Sequence, residues 1–177
     1  MSSSLTTLSG RCLCRSISWK LPDVHVGQVL VCHCSECRRV SGSTSIPFAA
    51  LPRQPLLAQF QDAPSLAKIA LSDVATRYFC RNCSSMMYMD YNVTNTVWVP
   101  IGTLDDFDPQ LMIQVPRDSQ IFGESKMAAT DALCQLPLQE NFGTYKSDVC
   151  GEISFDQLPS WQDEEAAAVK QKEKVES

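Results

Sequence analysis

Nine cysteines stand in this chain of 177 residues, and seven of them fall into three tight clusters. These are Cys12-Leu13-Cys14, Cys32-His33-Cys34-Ser35-Glu36-Cys37 and Cys80-Arg81-Asn82-Cys83. Clustered thiols do one of two things: they bind a soft cation as thiolates, or they act as nucleophiles and redox groups. A Cys-X-Cys on a strand sends both sulfurs to one side, because side chains alternate with period two. A Cys-X-X-Cys in a tight turn brings two sulfurs to one point. Cys12, Cys14, Cys80 and Cys83 together therefore supply four thiolates, the number that tetrahedral Zn²⁺ accepts at ~2.3 Å. Such a site has no vacancy, and its expected role is structural: it staples the start of the chain to its middle across residues 15–79.

Cys32, Cys34 and Cys37 remain, and three thiolates leave a tetrahedral zinc one open position, the mark of a reactive site. Three thiolates on Zn²⁺ carry a net charge of −1, so a soft ligand such as a substrate thiolate suits the vacancy. Zinc would lower that thiol's pKa and hold it as a nucleophile or leaving group. Arg38 is expected to offset the negative charge or to bind a carboxylate. Plainer readings compete at each of the other residues. His33, between two cysteines on an extended segment, points away from their sulfurs and reads as a supporting residue. His25 reads as an ordinary strand histidine. Glu36 is an acid–base candidate by position and equally a solvated side chain, and Ser41 reads as a turn or cap. Cys134 and Cys150 read as small buried hydrophobes or exposed thiols.

The elements that must position these groups read as strands. Residues 12–20 alternate, with Ile17 and Trp19 toward the core. Further strands are expected at 24–31, 44–51, 66–71, 75–80, 86–91, 96–101 and 111–115, rich in β-branched and aromatic residues. Pro22-Asp23 reads as a turn, and Arg38-Arg39-Val40 as a helical turn stopped by Gly42. Residues 102–109 read as a turn with capping acids. The chain is mainly β and antiparallel. Residues 1–8 read as a flexible N-terminus, 9–145 as the zinc-binding β domain, and 146–177 as a tail with a helix from Ser160 to about Glu176.

A hydrophobic content of 44% and a net charge of −5 describe a soluble globular chain and argue against nucleic-acid binding. The first ten residues carry no basic or apolar signal region, and no apolar run reaches the ~20 residues that span a bilayer. The expected location is the cytoplasm, where thiols stay reduced. A small molecule is the expected partner, and a homodimer is one oligomeric state the sequence leaves open.

The order Gly10-x-Cys12-x-Cys14, Cys32-His33-Cys34-x-x-Cys37-Arg38-x-x-Ser41-Gly42 and Phe79-Cys80-x-x-Cys83 resembles the glutathione-dependent formaldehyde-activating enzyme (Gfa) family. That family includes centromere protein V-like proteins. The match covers roughly residues 8–115. The resemblance implies a β-tent fold of stacked antiparallel sheets. It implies a structural zinc at Cys12, Cys14, Cys80 and Cys83 and a catalytic zinc at Cys32, Cys34 and Cys37. It also implies carbon–sulfur lyase-type activity, in which a glutathione sulfur adds to formaldehyde or the adduct breaks down; the expected substrate is a glutathione or other thiol adduct of a small aldehyde. Two departures stand out. Ser84-Ser85 occupies the place of a family Gly-Ser or Gly-Thr, so either a serine takes a left-handed backbone or the turn differs. Family histidine and tryptophan positions beyond Asp108-Pro109 are filled by residues such as Gln114 and Phe122. Two other readings of the sites are a zinc enzyme acting on a small molecule other than a glutathione conjugate, and a non-catalytic zinc-stapled interaction module.

Overall fold

Short runs of β-branched and aromatic residues, cut by Ser, Asp, Asn and Gly, fold here into short strands. The computed structural model describes residues 6–24, 26–91, 93–105, 120–135, 144–147 and 151–154. Their order is β1 (Thr6–Arg11), β2 (Ser18–Val24), β3 (Val29–Cys32), α1 (Ser35–Ser41), β4 (Ile46–Pro52) and α2 (Arg53–Ala58). Then come β5 (Leu66–Ala70), β6 (Ala75–Cys80), β7 (Met86–Tyr91), β8 (Thr96–Pro100), a 3-10 turn (Ile101–Thr103) and β9 (Gln120–Ile121). A second 3-10 turn (Gly123–Ser125), α3 (Thr130–Leu133), β10 (Thr144–Ser147) and β11 (Gly151–Ser154) follow. The protein is mainly β. It divides into two compact units, Met1–Asp131 and Ala132–Ser177. The second contains the antiparallel pair β10–β11. The expected strand at 111–115 and helix from Ser160 lie outside the described residues, as do His25, Gln114 and Cys150.

In the first unit, seven strands form one sheet in the order β5-β6-β7-β8-β4-β3-β9. Its pairs are antiparallel except β3–β9, which is parallel. Alternation along β8 divides the core: Val97 and Val99 pack into one buried group, Trp98 against another. The first group is closed by the separate β1–β2 hairpin, through Leu8, Trp19, Leu21 and Val24, and by Leu56 of α2. It also contains Cys12 and Cys80. The second contains Leu30, Cys32, Cys37, Ile46, Phe48, Ala75 and Met89. The two cysteine sets thus belong to different cores.

Three expectations are corrected. Residues 12–17 are a turn between β1 and β2 rather than part of a strand, and Pro22-Asp23 lies within β2. β1 begins at Thr6, inside the stretch read as frayed. Arg15 at φ 60 turns the chain, the Arg15 N–H donates to the Cys12 carbonyl at 3.0 Å, and the Ile17 N–H to the Cys12 sulfur at 3.3 Å. Period-two alternation could not reveal a bend set by N–H groups aimed at a sulfur.

The hairpin is held at its base by Asp105. Its carboxylate accepts from Ser9 Oγ at 2.9 Å and pairs with Arg11 Nε at 2.8 Å. Beside it, Gly10 leaves no room for a side chain: a Cβ there would lie 2.7 Å from the Thr103 carbonyl oxygen and 2.7 Å from the Trp19 ring. Gly10→Ala is therefore expected to cost about 1–3 kcal/mol by overpacking. At ~2–4 °C per kcal/mol for a chain of this size, a thermal melt reads this directly. An unchanged melting temperature would mean that the hairpin packs less tightly than described.

Candidate metal centres and the site beside them

Cys12 and Cys14 come from the β1–β2 turn; Cys80 ends β6, and Cys83 lies in the turn before β7. All four sulfurs lie within 4.8 Å of one another. Cys12 and Cys14 are 3.6 Å apart, Cys14 and Cys80 3.7 Å. A disulfide needs ~2.05 Å, whereas a tetrahedron with metal–sulfur bonds of ~2.3 Å has sulfur–sulfur edges of about 3.8 Å. The set therefore fits a four-coordinate soft cation.

Neighbouring dipoles prepare these sulfurs for negative charge. The Ser16 hydroxyl lies 3.1 Å from Cys14 and 3.3 Å from Cys80, and takes a hydrogen bond from Asn82 Nδ2 at 3.3 Å. Burial opposes ionisation of Cys83, yet the Ser85 hydroxyl and the N–H groups of Cys14 and Ser85 bring its pKa down to about 6. Burial dominates at Cys12, which is pushed up to about 11. At Cys80 burial is outweighed by the Ser16 hydroxyl and the N–H groups of Cys83 and Asn82, and the pKa falls. Ser16, Asn82 and Ser85 were not singled out from the sequence; their only signal was nearness to the cysteines.

After this knuckle Ser84 stands at φ 62, so of the two expected outcomes it is the serine that takes a left-handed backbone. Its N–H donates to the Cys80 carbonyl at 2.8 Å. A Cβ in that region costs roughly 1–2 kcal/mol, partly offset by the entropy glycine adds to the unfolded chain. Ser84→Gly is expected to stabilise the protein by about 0.5–1 kcal/mol. A rise in the denaturant midpoint at constant slope checks this, and a fall would mean that the Ser84 side chain contributes something beyond strain.

The second set joins the end of β3 to α1. Cys32 and Cys37 are buried and Cys34 partly so, with the three sulfurs within 4.8 Å of one another. Cys34 is the N-cap of α1, and its sulfur accepts the Cys37 N–H at 3.3 Å. At the other end Gly42 caps at φ 66, the stop expected there. Cys32 is lowered to about 6, chiefly by a hydrogen bond from the Cys37 thiol, against its own burial. The same bond, with burial, drives Cys37 far upward.

His33 is buried; its Nε2 pairs with Gln120 Oε1 at 3.0 Å and its N–H donates to the Ile121 carbonyl at 3.1 Å. β9 therefore clamps the segment carrying the thiols. Arg38 Nε donates to the His33 carbonyl at 3.2 Å, which also braces that segment. Ser41 Oγ donates to the Cys37 carbonyl at 2.8 Å, and Cys134 is exposed. Glu36 pairs with Arg77 Nη2 of β6 at 3.1 Å. The phenol of Tyr91 on β7 is raised by burial and by the neighbouring Cys37 and Cys32. Arg77 and Tyr91 escaped the sequence reading. One signal was present: Arg77 alternates with Ala75 and Phe79 on the apolar side of its strand.

A buried acid, Asp90, belongs to the scaffold. Asp90 takes a two-pronged hydrogen bond from Arg53, at 3.0 and 2.9 Å. Tyr78 and Tyr88 stack nearby with ring centroids 4.3 Å apart.

A mainly β protein with one four-cysteine set and one three-cysteine set, each able to hold a metal ion, is the class that this fold and site define. Residues 7–124 match the model of the glutathione-dependent formaldehyde-activating enzyme family, and the chain belongs to that family. A Schizosaccharomyces pombe protein described as an uncharacterized lyase is 30% identical over 82 residues, 46% of this chain. The chain matches 56% of that relative's length. A crystal structure of a Rhodobacter sphaeroides protein is similar at a TM-score of 0.43 and 20% identity, covering 61% of this chain and 97% of that one.

Proposed function

We propose that this protein is a zinc-dependent carbon–sulfur lyase-type enzyme acting on a thiol adduct of a small aldehyde, with glutathione as the thiol. Family membership and the relative described as a lyase support the reaction class. The single observation that carries the proposal is the three-sulfur set of Cys32, Cys34 and Cys37, one ligand short of a closed tetrahedron. Cys12, Cys14, Cys80 and Cys83 would hold the structural ion and Cys32, Cys34 and Cys37 the catalytic one. When bound at the second set, zinc supplies an electrophilic position that favours the thiolate form of a substrate thiol.

The chain's own residues set the rest. In the forward direction the substrate sulfur forms a bond to the aldehyde carbon and the carbonyl oxygen takes up a proton; in reverse both bonds break. Tyr91, kept protonated by burial and by the nearby thiols, is a hydrogen-bond donor suited to that oxygen. Arg38, Gln120 and Ile121 fix the His33 backbone and ring, and so fix the two cysteines on either side. Among the described residues no helix is long and apolar enough to cross a membrane, and the proposal places the enzyme in the cytoplasm.

Two measurements test this together. Calorimetry with reduced glutathione is expected to show binding at millimolar ligand or below. NMR exchange spectroscopy is expected to show faster interconversion of glutathione, formaldehyde and their adduct with the metal-loaded protein. No binding and no acceleration would remove glutathione as the substrate.

A further inference from the structure

Arg77 is 2% exposed, yet among the described residues its Nε and Nη1 have no hydrogen-bond partner. Three of its five N–H donors are therefore unmatched inside the protein. Its one ion-pair partner among the described residues, Glu36, has a side chain 55% exposed, so water weakens that pairing. A buried cation compensated only from the surface is costly unless a second acceptor arrives.

The position of Arg77 says where that acceptor would come from. On β6 it follows Ala75 by two residues, and Ala75 packs with Cys32 and Cys37. Across the ladder Ala75 pairs with Tyr91 and Arg77 with Met89, both members of the same packed group. Through Glu36, 3.1 Å from its Nη2, the guanidinium meets the helix that Cys34 caps and that carries Cys37. Glu36 lies in α1 between Cys34 and Cys37. Arg77 thus adjoins both the packed group and the helix that hold the thiols, while Arg38 Nε is already engaged by the His33 carbonyl.

We propose that Arg77 is the carboxylate-binding residue of the three-thiol site, so that the substrate is a thiol or thiol adduct that also carries a carboxylate. This rests on the proposed thiol chemistry but not on glutathione itself. A carboxylate satisfies both the charge and the open donors, as a neutral group does not. Glu36 is the cover: more than half exposed, it loses little by moving into water when a ligand carboxylate takes its place. Tyr91 and the thiols then face the sulfur end of the same molecule.

The experiment compares wild type, Glu36→Gln and the double variant Glu36→Gln/Arg77→Lys, each with metal content measured. Sodium acetate is the probe and sodium chloride at equal ionic strength the control. In Glu36→Gln, acetate is expected to raise the melting temperature above the chloride value, and the double variant is expected to lose that difference. Acetate acting no better than chloride on Glu36→Gln overturns the proposal, because the ion pair is then only structural. A second arm compares reduced glutathione with its diethyl ester by calorimetry on the wild type. The free acid is expected to bind about 10–100-fold more tightly, the value of one charge-assisted contact, and equal affinity overturns the assignment. If neither form binds while acetate still stabilises Glu36→Gln, glutathione falls as the substrate and Arg77 stands as the carboxylate site.

Discussion

Cys80→Ser is expected to leave the protein unfolded or aggregated in conditions where the wild type melts cooperatively. Cys80 is 1% exposed and sits in the core that the β1–β2 hairpin closes. The hairpin is a separate two-stranded sheet. Besides side-chain packing, it is joined to the large sheet's unit through Asp105, the Gly10–Leu104 bridge and the four-thiol set. Structural zinc binds zinc-finger peptides with ~10–16 kcal/mol, while a whole domain is stable by only ~5–15 kcal/mol. Losing one of four thiolates forfeits much of the first quantity and so competes with all of the second. Far-UV circular dichroism and a thermal melt, each with added zinc, check this. A variant that melts within a few degrees of wild type would show that the staple is dispensable. Strong chelator on reduced wild-type protein is expected to act in the same direction.

The sequence revealed most where chemistry or punctuation was local. β6 and β7 match the expected strands to the residue, because the Cys80–Cys83 turn and a Ser-Asp pair bound them sharply. Gly42 ends α1 because it alone can take φ 66 there without strain. The seven clustered cysteines assemble as their spacing suggested, since three are close by local geometry and the CxC and CxxC pairs need only one long-range meeting. Elements failed where a proline or a bend carried the decision. α2 was not expected, since prolines at 52 and 55 argue against a helix there, although a proline in the first turn of a helix sacrifices no hydrogen bond. The two-residue β9 has no period to detect, yet it supplies the partners of the His33 ring and backbone N–H. Arg77 and Tyr91 reach the site only through the β6–β7 register, which local spacing cannot specify.

Cys34→Ser tests the other half of the division, and its expected effect is the opposite: lost chemistry on an intact fold. Cys34 is only partly buried, and its backbone already has the extended N-cap conformation, φ −60 and ψ 152. Serine is among the preferred N-cap residues, so the introduced hydroxyl can accept the Cys37 N–H and keep α1 in place. The hydrophobic group around Phe48 and Met89 retains its members, and the stability change is expected to stay within about 1 kcal/mol. Metal binding is another matter, since an alcohol is a poor substitute for a soft thiolate. Removing even an outer-sphere partner costs ~10–100-fold in metal affinity or activity, so losing a direct ligand is expected to cost at least ~100-fold. Elemental analysis is expected to find one zinc fewer per chain than in wild type, and adduct turnover to fall to background while the melt barely moves. If Cys34→Ser unfolds as Cys80→Ser does, both thiol sets are structural and the reactive site lies elsewhere. If it keeps its metal and its rate, Cys32 and Cys37 hold the ion without it.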